Sequence, residues 1–283
     1  MTKIRDYRAS FLTKLSSVYD EMEAENFFYL ILENKKKLKR IDLALNLGLI
    51  FSNDEIENWN FILEQLQKEI PIQYILGTTS FCGLEFLVNE NVLIPRPETE
   101  ELVDWILKEA AQIQYNKILD IGTGSGCIAI SLAKNLKNTQ VFALDISGKA
   151  IETAKKNAEI NVVDVYFINC NILETYDLNQ KFDLIVSNPP YVRNLEKAEI
   201  LKNVLDNEPH LALFVEDNDA LIFYRKIAAL AIKNLNLNGK LFFEINQYLA
   251  IETINLLKDA GFKNIELRKD IYGNDRMIMA SLN

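Results

Sequence analysis

Asn188-Pro189-Pro190-Tyr191 places a carboxamide, two ring-locked residues and an aromatic ring directly after the apolar run 182–186. A short apolar run reads as a buried strand, and an open α/β sheet binds its ligands where its strands end. Proline has a fixed φ and no N–H, so Pro189 and Pro190 stiffen this corner and leave the Pro189 carbonyl outside any ladder. Asn188 Oδ1 and that carbonyl then form a rigid pair of acceptors. Such a pair fits an –NH2 group whose two hydrogens must be held while its nitrogen faces something else. Asn-Pro is also a common turn signal, and these four residues alone support a plain strand-end turn equally well.

A second cluster lies earlier in the chain. In Asp120-Ile121-Gly122-Thr123-Gly124-Ser125-Gly126 the three glycines leave backbone bare at the start of a helix, where a ligand can approach closely. The spacing is GxGxG, not the GxGxxG of dinucleotide folds. Asp120, just before the first glycine, is placed to pair with a ligand ammonium. Asp145, ending the next strand, is placed to accept both hydroxyls of a ribose; an ordinary helix cap is its plainer reading. Asn171 follows the third strand and can meet an adenine amine, with Ile146 and Ile172 flanking the ring faces. An amino acid at one end and a nucleoside at the other describe S-adenosylmethionine.

The elements that must carry these residues alternate strand and helix from Lys117 onward, which predicts an α/β fold with a mostly parallel, doubly wound sheet. Strands are expected at 117–121, 140–144, 165–168, 182–186, 241–245, 265–267 and 277–280. Helices are expected at 127–136, through Ala150, Ala154 and Ala158, at 221–235 closed by Asn238-Gly239, and at 248–260. Before this region, residues 1–72 show helical spacing of apolar residues, with Ser52-Asn53-Asp54-Glu55 as a capped helix start. They predict a small domain of four or five helices. Lys35, Lys36, Lys37, Lys39 and Arg40 read as a solvated face. Residues 73–92 contain a hairpin turning near Gly83 and form the expected linker, leaving 93–283 as the larger domain. Within it, Arg96 sits between Pro95 and Pro97, and Glu98 and Glu100 fall in a helix's first turn, where the dipole favours acids.

Composition narrows the function. A net charge of −9 over 283 residues argues against a broad grip on nucleic acid. No apolar run reaches the ~20 residues needed to cross a bilayer, and the N-terminus lacks a signal pattern, so a cytoplasmic monomer is expected. Cys82, Cys127 and Cys170 are widely spaced and His210 is the single histidine, which gives neither a disulfide framework nor a metal site.

Taken together, the run resembles the class I S-adenosylmethionine-dependent methyltransferases, and Asn-Pro-Pro-Tyr resembles the motif of those that methylate planar –NH2 nitrogens. Pro71-Ile72-Gln73-Tyr74-Ile75-Leu76-Gly77, Phe81-x-Gly83-x-x-Phe86, Leu93-Ile94-Pro95-Arg96-Pro97-Glu98-Thr99-Glu100 and Leu119–Gly126 narrow it to the bacterial peptide chain release factor glutamine methyltransferases. That resemblance implies a Rossmann-like sheet of seven strands, a catalytic C-terminal domain, an N-terminal domain that docks the substrate protein, and a substrate glutamine in the GGQ loop of release factors. Asn171 stands where an acid is common, and Glu244-Ile245-Asn246 replaces a glycine-containing version. In this setting Tyr191 is expected against the flat amide and Phe81 in the pocket wall. Arg96, Glu98 and Glu100 are expected to close the pocket over the cofactor. The nearest rival is methylation of a nucleobase exocyclic amine, which the acidic balance and the absence of a nucleic-acid module disfavour. A nicotinamide-dependent oxidoreductase is disfavoured by the glycine spacing.

Overall fold

The computed structural model describes residues 2–283 and falls into two compact units. One runs to Gly77 and takes in Leu201–Asn207; the other comprises Thr78–Ile200 and Glu208–Asn283. Among the described residues, no helix is long and apolar enough to cross a membrane.

The first unit contains helices Ile4–Leu15, Glu21–Lys36, Arg40–Leu45, Asn53–Gln67 and Ile72–Leu76. Their apolar faces meet around Trp59, whose ring lies 4.9 Å from those of Phe28 and Phe51. Helix Asn53–Gln67 starts at a reciprocal cap: Ser52 Oγ accepts the Glu55 N–H, and Glu55 accepts the Ser52 N–H. In the basic cluster, Lys36 pairs with Glu55 and Arg40 with Glu25, so part of that charge is spent on the unit's own surface.

The second unit is built on a seven-stranded sheet. Its strands, here β1 to β7, are Lys117–Ile121, Gln140–Asp145, Tyr166–Asn169, Phe182–Ser187, Leu235–Glu244, Lys263–Lys269 and Asp275–Ser281, in the spatial order β6-β7-β5-β4-β1-β2-β3. Only β7 runs opposite to the other six strands. Alternation places Ile118, Leu184, Val186 and Phe242 in the core on one face of the sheet, and Leu119, Ile185, Leu241 and Phe243 in the core on the other. Each such fully buried side chain contributes about 1.5–3 kcal/mol.

Register matters most for function. Ile121 pairs with Leu144 and with Ser187, and Ser187 pairs with Phe243. The next residues along these strands, Gly122, Asp145, Asn188 and Glu244, therefore lie in one row at the carboxyl edge of the sheet.

Two segments differ from expectation. Asn238-Gly239 does not close a helix. Helix Ile222–Asn234 ends earlier, and both residues bulge within β5, whose pairing with β4 slips between Leu235 and Lys240. The hairpin Thr78–Phe81 and Leu84–Leu87 belongs to the second unit and is pinned there. Asn157 on helix Gly148–Asn161 brackets Leu87, accepting its N–H at 2.6 Å and donating to its carbonyl at 3.0 Å. A further Asn157 bond, to the Ser125 carbonyl at 2.8 Å, ties the hairpin to the glycine turn.

Candidate active site

The row at the sheet edge opens on a cavity of about 210 Å³ bordered by Gly122, Gly124, Asp145, Ile146, Asn171, Ile172, Asn188, Pro189 and Pro190. A smaller recess of about 50 Å³ shares Asn188 and Pro189 with it and is bordered also by Arg96, Tyr191 and Glu244. Asn188 and Pro189 thus stand at the junction of two spaces, one roomy and one slot-like. Neither Asn188 Oδ1 nor the Pro189 carbonyl has a hydrogen-bond partner among the described residues, although each can accept two bonds.

Around them the polar groups are tightly organised. Asn188 Nδ2 donates to Thr99 Oγ1 at 3.3 Å, and Thr99 Oγ1 donates to Glu244 Oε2 at 2.7 Å. Tyr191 Oη donates to the other Glu244 oxygen at 3.1 Å. Glu244 is 2% exposed, and burial pushes its carboxyl up while the two hydroxyls and Arg276 oppose the shift. Burial, then the Glu244 charge, raises the Tyr191 phenol as well, so it stays a neutral donor. Asn246 Nδ2 donates to the Tyr191 carbonyl at 3.0 Å and to Glu196 Oε2 at 2.9 Å, which fixes the chain leaving the Asn-Pro-Pro-Tyr corner.

On the opposite side, Asp145 is held by the Gly124 N–H on Oδ2 and the Ser147 N–H on Oδ1, both at 2.8 Å. Each of its oxygens keeps a lone pair for a hydroxyl. Asn171 borders the cavity, but its Oδ1 accepts the Leu173 N–H and its Nδ2 reaches Glu174, so its amide also shapes its own turn.

Comparison with known proteins places this arrangement. The release factor glutamine methyltransferase of Flavobacterium psychrophilum is 64% identical over 97% of this chain and 98% of its own length. That of Bacteroides thetaiotaomicron is 44% identical over 94% and 96%. The chain belongs to the release factor glutamine methyltransferase family. The family model described as the methyltransferase small domain matches residues 99–213 of this methyltransferase. A methyltransferase from Pyrococcus furiosus, 18% identical, shares the fold over 78% of this chain and 99% of its own, with a TM-score of 0.54.

The enzyme is a Rossmann-like methyltransferase whose methyl donor is S-adenosylmethionine, and its larger cavity fits that donor. Gly122 and Gly124 have φ of +75° and +55°, and a side chain added at Gly124 would meet no protein atom within 4 Å. Their bare backbone faces open space beside Asp145, while Ile146, Ile172, Leu144 and Phe223 give the apolar walls that a purine needs.

Several expected site residues of this methyltransferase do other work. Asp120 does not border the cavity. It is 1% exposed, its Oδ2 accepts the Thr123 hydroxyl at 2.6 Å, and desolvation pushes it up to about 7. Thr123 and Ser125 lie behind the turn with it. Gly126, at φ +83°, makes room for packing: a Cβ there would sit 2.8 Å from Ile130 Cδ1 and 3.1 Å from Ala154 Cβ. Phe81 is 1% exposed, packs edge-on against Phe86 in the core, and borders neither space. Glu98 borders neither space either, and Glu100 accepts the Cys82 N–H at the hairpin turn, 2.7 Å away. Arg96 reaches the smaller recess and pairs at 2.5 Å with Glu208, whose other oxygen accepts the Ile94 N–H.

Glu208, Thr99 and Glu244 carry no individual role in the sequence pattern. Only Glu244 left a signal, as a carboxylate ending an apolar strand in the manner of Asp145.

Proposed function

We propose that this methyltransferase transfers a methyl group from S-adenosylmethionine to the side-chain amide nitrogen of the glutamine in the GGQ motif of peptide chain release factors. The observation that carries the reading is the free acceptor pair, Asn188 Oδ1 and the Pro189 carbonyl, at the junction of a nucleoside-sized cavity and a narrow slot. Support also comes from the names of the relatives, which print a release factor glutamine as what they methylate.

An amide nitrogen is a poor nucleophile because its lone pair is delocalised into the carbonyl, so orientation is the main task. S-adenosylmethionine would supply an electrophilic methyl on a sulfonium; the glycine turn, Asp145 toward its ribose, and Ile146, Asn171 and Ile172 around its base would hold it. Asn188 Oδ1 and the Pro189 carbonyl each accept one N–H of the substrate carboxamide, which turns its nitrogen lone pair toward the larger cavity. Both acceptors favour the positive charge that develops on that nitrogen. Tyr191, anchored through its hydroxyl to Glu244, keeps its ring against the slot as a wall for the flat amide. The product nitrogen loses its extra proton to solvent, so no side-chain base is required.

The helical unit docks the body of the release factor, and the reaction takes place in the cytoplasm. Incubation with methyl-labelled cofactor and either a release factor or total RNA tests the reading. Label on the factor, lost when its GGQ glutamine is replaced by alanine, is the expected result. Label on RNA alone sinks the assignment.

A further inference from the structure

Asn188 is useful to the reaction in only one of its two amide orientations. With Oδ1 toward the slot it accepts a substrate N–H; flipped by 180°, it presents its own N–H groups to the substrate's and repels them. The two orientations are nearly equal in shape, so something outside Asn188 must choose between them.

The choice can be followed through the hydrogen bonds. In its ionised form the Glu244 carboxylate has no proton to give, so the hydroxyls that touch its two oxygens, Thr99 Oγ1 at 2.7 Å and Tyr191 Oη at 3.1 Å, must donate to it. Thr99 has a single hydroxyl proton. Once that proton is directed at Glu244, Thr99 Oγ1 can only accept on its remaining side. Asn188 lies there at 3.3 Å and must present Nδ2, which leaves Oδ1 facing away from Thr99. Thr99 is 3% exposed and Glu244 2%, so water does not compete for these bonds. Sheet register explains why the partners meet: Phe243 pairs with Ser187, so Glu244 and Asn188 lie side by side at the ends of β5 and β4. Thr99 comes from the first turn of helix Pro97–Ala110.

We propose that Glu244 and Thr99 are positioning residues that set the amide orientation of Asn188, Glu244 acting on Asn188 through the Thr99 hydroxyl. The same carboxylate steadies Tyr191, so one buried acid holds both ends of the Asn-Pro-Pro-Tyr corner. The inference rests on the release factor reading of the site, in which Asn188 accepts a substrate N–H.

Four variants of the full-length chain test it: Thr99→Val, Thr99→Ser, Glu244→Gln and the double Thr99→Val with Glu244→Gln. For each, kcat and KM for a release factor are measured with labelled cofactor, and the cofactor Kd by calorimetry. Thr99→Val removes the acceptor while keeping the shape. Glu244→Gln supplies an N–H that lets the hydroxyl reverse. Both are expected to lower kcat by about ten- to a hundredfold through misorientation, with KM and cofactor Kd within about threefold. Thr99→Ser, which keeps the hydroxyl, restores most of the rate. Because the two residues act in series, the double variant loses no more than the worse single one.

Wild-type kcat in Thr99→Val, equal impairment in Thr99→Ser and Thr99→Val, or fully additive losses in the double variant each overturn the proposal. Failure of the wild-type enzyme itself to methylate a release factor overturns the underlying reading instead.

Discussion

Gly124 and Gly126 stand two residues apart in the same turn, yet substitution by alanine is expected to damage different properties. Both have positive φ, +55° and +83°, so a Cβ costs about 1–2 kcal/mol at either position. At Gly126 the new methyl also lands 2.8 Å from Ile130 Cδ1 and 3.1 Å from Ala154 Cβ. Ile130 can rotate its terminal carbon, but Ala154 belongs to helix Gly148–Asn161 and moves only with it. Overpacking of this kind adds about 1–3 kcal/mol. Gly126→Ala therefore loses about 2–5 kcal/mol, which lowers the Tm of a unit this size by about 4–20 °C. Gly124→Ala meets no atom within 4 Å and loses only the conformational part, about 2–8 °C. Its methyl, however, projects from a residue that borders the cavity. Cofactor affinity is expected to fall about tenfold or more in Gly124→Ala and to stay within about threefold in Gly126→Ala, since only the first removes close backbone approach. Thermal melts of both variants, with S-adenosylmethionine titrated calorimetrically well below either midpoint, read the two effects separately. Equal Tm losses together with the larger affinity loss at Gly126 would refute this division of the turn into a binding half and a packing half.

Three other perturbations follow from the site. Asn188→Ala removes an acceptor that acts on developing charge, so kcat falls by about 10²–10³-fold while cofactor Kd changes only a few-fold; parallel losses of rate and cofactor affinity count against the role given to Asn188. Asp120 titrates from 3.8 when unfolded to about 7 when folded, because burial disfavours its charge. Between those values the folded chain keeps a proton that the unfolded chain has lost, so stability falls as pH rises from about 4 to 7. Asp120→Asn removes that slope, worth about 4 kcal/mol at full extent, and superimposable Tm–pH curves for wild type and variant would contradict the raised pKa. Arg96→Ala leaves Glu208 buried with only the Ile94 N–H, and because Arg96 is itself a third exposed the loss is about 1–3 kcal/mol. The loop it secures borders the cavity through Val92 and Leu93, so cofactor Kd should rise several-fold, and an unchanged Kd in titration would remove Arg96 from the pocket's support.

The sheet was readable in advance because its strands are short apolar runs separated by turn residues, and because glycine and proline mark where the ligand-facing edge begins. Asp145 and Asn188 could be placed at that edge for the same reason: a polar residue that ends such a run has one place to go. What the chain order hides is depth. Asp120 precedes a glycine turn just as a ligand-binding acid would, yet the strand's alternation turns it inward behind the turn. Phe81 carries a motif position, but the hairpin that holds it folds onto helix Gly148–Asn161, and its ring goes to the core. Thr99 and Glu208 had no signal of their own. Each matters through a partner 145 or 112 residues away, and such pairings are set by register and helix packing, not by local pattern.

The row of Gly122, Asp145, Asn188 and Glu244 divides between two halves of the sheet, with the first pair at the ends of β1 and β2 and the second at the ends of β4 and β5. On the proposed reading, chemistry that is the same for every methyl acceptor is thereby housed on different strands from chemistry that must match one acceptor. Drift in the segments following β4 and β5 can retarget such a scaffold toward another flat nitrogen without disturbing the compartment that loads and empties the donor.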